Sequence, residues 1–240
     1  MKSGSEIDGV LLVDKSPGMT SHDVVAITRR TLDTKKVGHC GTLDPLATGL
    51  LLITIGKGTK IQDLLMSEDK EYVGTLRLGE VTDSQDADGE VIATHPVPDF
   101  TREQLDAAFA KFHGDFYQTP PMVSAIKKDG VPLYKLARQG KQVEREPRFV
   151  HVYAHQILEV RGHEIDFRVV CSKGFYVRTY AHDIGTELGC GAHLRALRRT
   201  KSGRFSVDDA IAVERLKASP ASDVLPHVLS LPAVSRLRGA

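Results

Sequence analysis

The sequence of 240 residues is poor in cysteine and lacks long apolar runs, and both features restrict what the chain can be. Its three cysteines, Cys40, Cys171 and Cys190, fit neither an even disulfide framework nor a Cys-x-x-Cys metal site. No run of about 18 apolar residues is present, and no basic segment precedes an apolar stretch at the N-terminus. We therefore expect a cytoplasmic protein with no membrane association and no metal site.

Internal repeats and low-complexity tracts are also absent, and 41% of the residues are hydrophobic, enough to bury a sizeable core. Hydrophobic periodicity and turn residues indicate a mixture of strands and helices, with antiparallel strands. The predicted strands are residues 10–13, 50–55, 71–78, 149–160 and 163–171. The predicted helices are residues 20–32, 57–66, 101–113, 176–188 and 208–216, two of which begin with a capping-box pattern at Thr20 and Thr101.

Charge is unevenly distributed along the chain, although the net charge is only +1. Residues 1–100 hold 10 Lys and Arg against 16 Asp and Glu, whereas residues 168–204 hold 8 basic residues against 2 acidic ones. A basic stretch beside a glycine turn suits contacts with a phosphate backbone, so we expect nucleic acid to bind there. The cluster that carries this prediction consists of Arg195, Arg198, Arg199, Lys201 and Arg204.

One carboxylate, Asp44, lies between residues 37 and 48, where three glycines and Pro45 predict a loop. This punctuation predicts no regular element there, because glycine and proline enforce turns. The residue before a proline is biased toward extended conformations, which holds the side chain of Asp44 clear of the local backbone. An Asp before Pro is also an ordinary turn former, so residue type alone does not assign it a chemical role.

The whole stretch 38–49 reads Gly-His-Cys-Gly-Thr-Leu-Asp-Pro-Leu-Ala-Thr-Gly and resembles the signature of the TruB family of tRNA pseudouridine synthases. Cys40 stands where we expect a small polar residue such as Thr. Further stretches resemble motifs of the family, and the resemblance covers about residues 7–231. These stretches are residues 15–18, 118–127, 134–140, 171–179 and 191–200.

The resemblance implies an α+β chain with the pseudouridine synthase fold, a mixed and mostly antiparallel sheet with flanking helices. It implies a catalytic domain at residues 1–230 that contains an RNA-gripping insertion at residues 115–148, which orders on binding. Residues 231–240 are then a short C-terminal tail, and the PUA-type domain usual in bacterial members is absent. In the family, the turn that matches Lys15 braces the active-site loop, although a basic residue in a turn ordinarily faces solvent.

The implied activity is isomerisation of uridine to pseudouridine at position 55 in the T loop of tRNA. The base must leave its stack to be reached, and the resemblance assigns one catalytic and five substrate-binding residues. The catalytic residue is Asp44, and the binding residues are His39, which fills the gap left by the base, Tyr72, which packs on the uracil, Tyr176, Arg178 and Leu197.

The reaction exchanges an N1–ribose bond for a C5–ribose bond without redox change or hydrolysis, so the chain needs no cofactor. By the resemblance Arg178 pairs with Asp44, which orients the carboxylate and keeps it ionised in an apolar pocket. Whether Asp44 attacks C1′ of the ribose or C6 of the uracil stays open at this point. The expected partner is the T stem-loop of tRNA, bound by a monomer.

Two other classes of function compete with this interpretation. A non-catalytic RNA-binding or tRNA-folding protein would show the same basic stretches, with Asp44 only shaping a turn. A thiol hydrolase would use His39 and Cys40, but adjacent residues in an extended loop seldom face each other. Four residues also have plainer interpretations: Tyr72 as a packing residue of a strand, His39 as a surface-exposed loop residue, Arg178 as a surface helix residue and Leu197 as a core residue of a helix.

Overall fold

The structure, a computed structural model, describes residues 7–239 except 125, 129, 134, 135, 137, 138 and 142. The chain divides into two compact units, one formed by Met1–Tyr72 and Arg198–Ala240 and the other by Val73–Leu197. Among the described residues, no helix is long and apolar enough to cross a membrane.

Strands and helices are numbered along the chain. The strands of the described residues are β1 (Gly9–Lys15), β2 (Val37–Cys40), β3 (Thr48–Ile55), β4 (Lys70–Leu78), β5 (Glu80–Thr82), β6 (Val91–Thr94), β7 (Gly114–Gln118), β8 (Lys127–Lys128), β9 (Val131–Pro132), β10 (Arg148–Arg161), β11 (Glu164–Cys171), β12 (Ala192–Ser202), β13 (Phe205–Ser206), β14 (Ile211–Ala212) and β15 (Val228–Leu229). The helices are α1 (Ser21–Thr31), α2 (Gln62–Met66), α3 (Arg102–Ala110), α4 (Val177–Glu187), α5 (Val213–Ala218), α6 (Ala221–Val224) and α7 (Leu231–Arg238).

In the first unit the strand order is β14-β1-β3-β12, with β15 paired to β1, β2 to β3 and β13 to β12. β1 and β3 are antiparallel, whereas β3 and β12 are parallel through the pairs Arg198 with Thr48 and Arg199 with Gly49. The predicted strands at 10–13 and 50–55 are confirmed, and their continuous apolar runs are explained because β1 and β3 are buried almost throughout.

The prediction of no regular element between residues 37 and 48 is wrong at its beginning. Val37–Cys40 forms β2, which pairs antiparallel with β3 and buries both of its ends. Glycine suits position 38 of this strand because the side chain of Gln62 packs directly on it. An added Cβ would lie 2.2 Å from Nε2 of Gln62. Only residues 41–47 remain as the loop that carries Asp44.

In the second unit the strand order is β12-β4-β11-β10-β7, and β11, β10 and β7 are successively antiparallel. The predicted strands at 71–78, 149–160 and 163–171 are confirmed as β4, β10 and β11. α3 and α4 meet β11 through the rings of Phe109, Phe167 and Tyr180, whose centroids are 5.8 to 5.9 Å apart. Edge-to-face packing of this kind is favourable because a ring edge is positive and a ring face negative.

Three predicted helices are confirmed within a few residues. α1 and α3 begin with the predicted capping boxes at Thr20 and Thr101, and α4 ends just before Gly189. Each box satisfies two backbone N–H groups that the first turn of a helix leaves without partners.

Two other helix predictions are wrong in part. The helix predicted at 57–66 is a 3₁₀ helix over Gly56–Ile61 followed by the short α2. The helix predicted at 208–216 is interrupted, because Ser206 caps a 3₁₀ turn and Ile211 then pairs with Val13 of β1 before α5 begins. Two glycines in the first case and tertiary strand pairing in the second override the helical periodicity.

The segment predicted as a C-terminal tail is helical. Val234 of α7 is buried in the core of the first unit with Val10, Leu50 and Phe205, and Arg238 pairs with Glu68 at 2.5 Å. In the predicted insertion, the described residues include a small hairpin of β8 and β9. Much of the motif predicted at 134–140 lies outside the described residues, and ordering of the insertion on binding stays a prediction.

The close approach of β3 and β12 generates a prediction for Gly49. Its φ is +95°, and an added Cβ would lie 2.2 Å from the carbonyl oxygen of Arg199. We expect Gly49→Ala to lower the free energy of unfolding by more than about 2 kcal/mol, since both strain and overlap oppose the methyl group. Urea denaturation followed by circular dichroism measures this.

Gly162→Ala is the matched control, because Gly162 has a φ of +58° but no atom within 4 Å of the added Cβ. It bears only the cost of the left-handed conformation, about 1 to 2 kcal/mol. Equal losses in the two variants would show that the overlap at Gly49 contributes nothing.

Candidate active site

Asp44 lies in the loop 41–47, which connects β2 to β3 in the first unit. Leu43 and Ala47 bury their side chains on either side of it, and the side chain of Asp44 is half-buried. The hydroxyl of Ser21, at the start of α1, accepts a hydrogen bond from the amide of Leu43 (2.9 Å) and lies 3.1 Å from the carbonyl oxygen of the same residue. The conformation of the loop at Asp44 is therefore fixed by α1.

Lys15, at the end of β1, braces the same loop from a second side. Its side chain is fully buried, and Nζ donates to the carbonyl oxygens of Ser16 (3.0 Å), Met19 (2.9 Å) and Pro45 (3.3 Å). The amide of Gly18 also donates to Pro45, at 2.9 Å. The ordinary solvent-facing interpretation of this lysine is wrong, because backbone carbonyls satisfy the buried ammonium.

Arg199 of β12 is the third support of the loop, and its position corrects a prediction. The side chain is 1% exposed, and its guanidinium donates from Nε to Leu50 O (2.7 Å) and from Nη2 to Gly41 O (3.0 Å). Arg199 is therefore not available to a phosphate, and the predicted phosphate contact of the basic cluster is wrong for this residue. The neighbouring Arg198 donates two hydrogen bonds to the carboxylate of Asp14, at 2.9 and 2.7 Å.

His39 lies on β2, two residues before the loop. Its ring packs edge-to-face on His22 at 5.1 Å, and its backbone oxygen accepts from Gln62 Nε2 at 3.2 Å. Burial, with smaller contributions from the charges of His22 and Arg199, lowers the pKa of His39 to about 4. The imidazole is therefore neutral at physiological pH and presents a flat, uncharged ring.

Cys40 follows His39 and is 2% exposed. Burial raises the pKa of its thiol to about 12, although the charges of Lys70 and Arg199 oppose this. A thiol hydrolase requires an accessible thiolate, so the geometry argues against that alternative. Cys40 is instead a small core residue that belongs to the same hydrophobic cluster as Leu52 and Leu65.

Arg178 lies in the second unit, in the first turn of α4, and its interpretation as a surface residue is wrong. It is 4% exposed and donates from Nη1 to Ser84 O (3.0 Å) and from Nη2 to Val123 O (2.6 Å). Its Nε lies 3.5 Å from Oδ2 of Asp86. The ion pair of Arg178 with Asp44 that the resemblance implies stays a prediction.

Asp86 is a residue that the sequence did not single out. Asp86 is buried, and its carboxylate accepts from Ser84 Oγ (2.5 Å) and from the amide of Asp88 (3.1 Å). The turn is also fixed to β12, since Leu194 exchanges backbone hydrogen bonds with Gln85 and Ala87. The Ser-x-Asp-x-Asp pattern of the turn is a signal of such side-chain-to-backbone bonding.

The remaining predicted residues are placed as follows. Tyr176 is the N-cap residue of α4, and its backbone N–H and C=O bond the side-chain amide of the buried Gln118 at 2.7 and 3.0 Å. Tyr72 is buried on β4. Leu197 is buried on β12, so its interpretation as a helical residue is wrong. Gln118 is a further residue of this region that the sequence analysis did not single out.

Comparison with known sequences decides the family. The family model for "TruB family pseudouridylate synthase (N terminal domain)" matches residues 29–177, and the model for "tRNA pseudouridylate synthase B C-terminal domain" matches residues 178–230. The chain belongs to the TruB family. The second match begins at Arg178, within α4.

Two TruB-family relatives match over nearly their full length. The tRNA pseudouridine synthase B of Opitutus terrae is 58% identical over 219 residues, 91% of this chain and 91% of the relative. The protein of the same name from Bordetella avium is 48% identical over 219 residues, 90% of each chain. The prediction of an enzyme of this class is confirmed, and pseudouridine synthases are isomerases.

Solved structures support the same fold. A Cbf5-Nop10-Gar1 complex contains a chain that matches with a TM-score of 0.67 and 31% identity over 91% of this chain and 62% of that one. A chain in the structure of an H/ACA RNP bound to a substrate RNA containing 2′-deoxyuridine matches with a TM-score of 0.65 and 30% identity. The match covers 86% of this chain and 51% of that one. The chain thus spans less than two thirds of these solved chains, and the predicted pseudouridine synthase fold is confirmed.

The environment of Cys40 generates a first prediction for this TruB-family site. A pKa of about 12 leaves roughly 1000-fold less thiolate at pH 8 than the ordinary value of 9.0. We expect iodoacetamide to label Cys40 in the native protein at least roughly 100-fold more slowly than in urea, with isomerase activity unchanged. Peptide mapping by mass spectrometry measures the labelling, and rapid native labelling with loss of activity would restore the thiol alternative.

The contact of Asp86 with Arg178 generates a second prediction. Asp86→Asn keeps the shape of the turn but removes the negative charge beside the buried guanidinium, so we expect kcat/KM to fall by on the order of 100-fold through misplacement of Arg178. Asp88→Asn is the matched control, because that side chain is exposed two residues away. Equal activity of the two variants would show that the charge of Asp86 does not contribute to the reaction.

Proposed function

We propose that this TruB-family chain converts uridine to pseudouridine at position 55 in the T loop of tRNA, with Asp44 as the catalytic carboxylate. The observation that carries the proposal is the position of Asp44. It is a half-buried carboxylate in the loop that matches the family signature, and buried cations hold that loop at Gly41 and at Pro45. A turn-forming aspartate would not require such support.

The reaction breaks the bond between N1 and the ribose, rotates the uracil and forms a bond from C5 to the ribose. All atoms of the base and sugar are kept except the proton at C5, which leaves as N1 gains one. Asp44 acts as the nucleophile or base of this sequence. Its carboxylate must be ionised to do so, and the proposal includes the predicted pair with Arg178, whose guanidinium is permanently charged.

The target uridine must leave its stack, because its reacting atoms are shielded inside a folded loop. We assign to His39 the role of filling the vacated space. The low pKa of His39 supports this assignment, because a neutral imidazole enters a base stack without bringing a buried charge. We assign Tyr72, Tyr176 and Leu197 to the walls of the base pocket, and the burial of Tyr72 and Leu197 is consistent with an apolar lining.

The proposed partner is the T stem-loop of tRNA, bound by a monomer in the cytoplasm. The names of the relatives support tRNA as the substrate. Fewer residues of the basic cluster are now candidates for phosphate contacts, because Arg199 is buried in the protein. Arg195 and Lys201 keep 56% and 52% of their side chains exposed and remain candidates.

Asp44→Asn tests the catalytic role. The substitution removes the charge and the reactive lone pair but keeps the shape, so isomerisation should fall by at least roughly 1000-fold while the Kd for tRNA stays within about threefold. A binding titration and a pseudouridine assay on the same variant at matched salt measure both quantities.

The outcomes separate the proposal from its competitor. Tight binding without product supports Asp44 as the catalytic carboxylate. Retained product formation would refute that role. Loss of binding and product together would mean that Asp44 mainly holds the loop in shape, as in a non-catalytic RNA-binding protein.

A further inference from the structure

The acidic first hundred residues contain a compact group of basic side chains beside the candidate site. We define the β2 basic patch as six residues that precede β2 or lie in the 3₁₀ helix that follows β3. They are Arg29, Arg30, Lys35, Lys36, Lys57 and Lys60, and all six are exposed. The segments 29–36 and 56–61 that contain them hold one acidic residue, Asp33.

Backbone contacts bring these two segments together. The amide of Gly56 donates to the carbonyl oxygen of Lys36 at 2.8 Å, and Val37 pairs with Ile55 across the β2–β3 ladder. Arg29 is held against the start of β2, since its Nη2 donates to Val37 O at 2.9 Å. The two segments that carry these basic side chains therefore lie side by side in the first unit.

Most of this charge has no carboxylate partner. Lys57 pairs with Asp8 at 2.9 Å, but within the described part of the chain no carboxylate lies within 4.0 Å of the cationic groups of Arg30, Lys35, Lys36 or Lys60. Arg30 has an ordinary structural role, because a cation in the last turn of a helix stabilises the helix dipole. Lys35 and Lys36 lie outside helices, so that explanation does not apply to them, whereas Lys60 lies in the last turn of the 3₁₀ helix.

The patch is continuous with the loop of the proposed function. Lys36 precedes His39 by three residues, and an antiparallel strand advances about 3.4 Å per residue, so their Cα atoms are about 10 Å apart. A lysine side chain at this distance lies close to a nucleotide whose base is replaced by His39. Phosphates are anionic, so exposed lysines with no carboxylate within hydrogen-bonding distance are complementary to them.

We propose that the β2 basic patch binds the backbone phosphates of the T stem-loop next to the target nucleotide. This inference rests on the proposed function, because it places the RNA strand over β2. It assigns a part of the electrostatic RNA affinity to Lys35, Lys36 and Lys60, beside the candidates that remain on β12.

The test is the salt dependence of binding to an unmodified T stem-loop RNA. The slope of log K against log salt is negative, and each lost phosphate contact makes it less steep by about 0.7 to 0.9. We expect Lys35→Gln, Lys36→Gln and Lys60→Gln together to make the slope less steep by about 2 and to weaken binding by at least roughly tenfold at 0.15 M salt.

A control triple variant removes the same charge elsewhere. Arg102→Gln, Lys111→Gln and Arg161→Gln change exposed cations that already face Asp106, Glu187 and Asp166. We expect its slope to match that of the wild type. Thermal unfolding of both triple variants checks that each is folded.

An unchanged slope in the lysine triple variant, or an equal change in the control, would overturn the patch as an RNA contact while leaving the proposed function intact. Absence of pseudouridine in the wild-type reaction would instead overturn the proposed function. The slope is read from binding alone, so the two failures are distinguishable.

Discussion

The fixed conformation of the loop around Asp44 depends on two buried cations that donate to backbone carbonyls. A loop of this kind has no ladder of its own, and a buried carbonyl without a donor is costly. Lys15 supplies donors at Pro45, and Arg199 supplies them at Gly41 and Leu50. Charge-assisted hydrogen bonds are stronger than neutral ones, so they offset the cost of burying the two cations and hold the carboxylate in place.

The second unit uses the same device around Arg178. Its guanidinium donates to the carbonyls of Ser84 and Val123 and lies beside the carboxylate of Asp86, which is itself bonded within its turn. In each unit a side chain with a proposed role, Asp44 or Arg178, is therefore fixed together with the backbone acceptors of an irregular segment. Precise placement of reacting groups requires such a supporting shell, because a displacement of about 1 Å can cost two orders of magnitude in rate.

The sequence predicted those elements whose signals are local. Capping boxes gave α1 and α3, and apolar runs and alternation gave β1, β3, β10 and β11. The sequence did not predict three features that depend on pairing with a strand distant in sequence. They are β2, the interruption near residue 208 and the strand position of Leu197. Burial of Lys15, Asp86 and Arg199 was also missed, since residue type favours the surface and only tertiary contacts reveal a buried charge.

The catalytic role proposed for Asp44 comes from resemblance rather than from periodicity, and the braced loop supports the proposal. The most direct test is to incubate the wild-type protein with unmodified tRNA, without added cofactor, and to map pseudouridine at single-nucleotide resolution. We expect conversion at position 55 with no other uridine modified. Absence of conversion, or conversion at a different uridine, would contradict the proposed function.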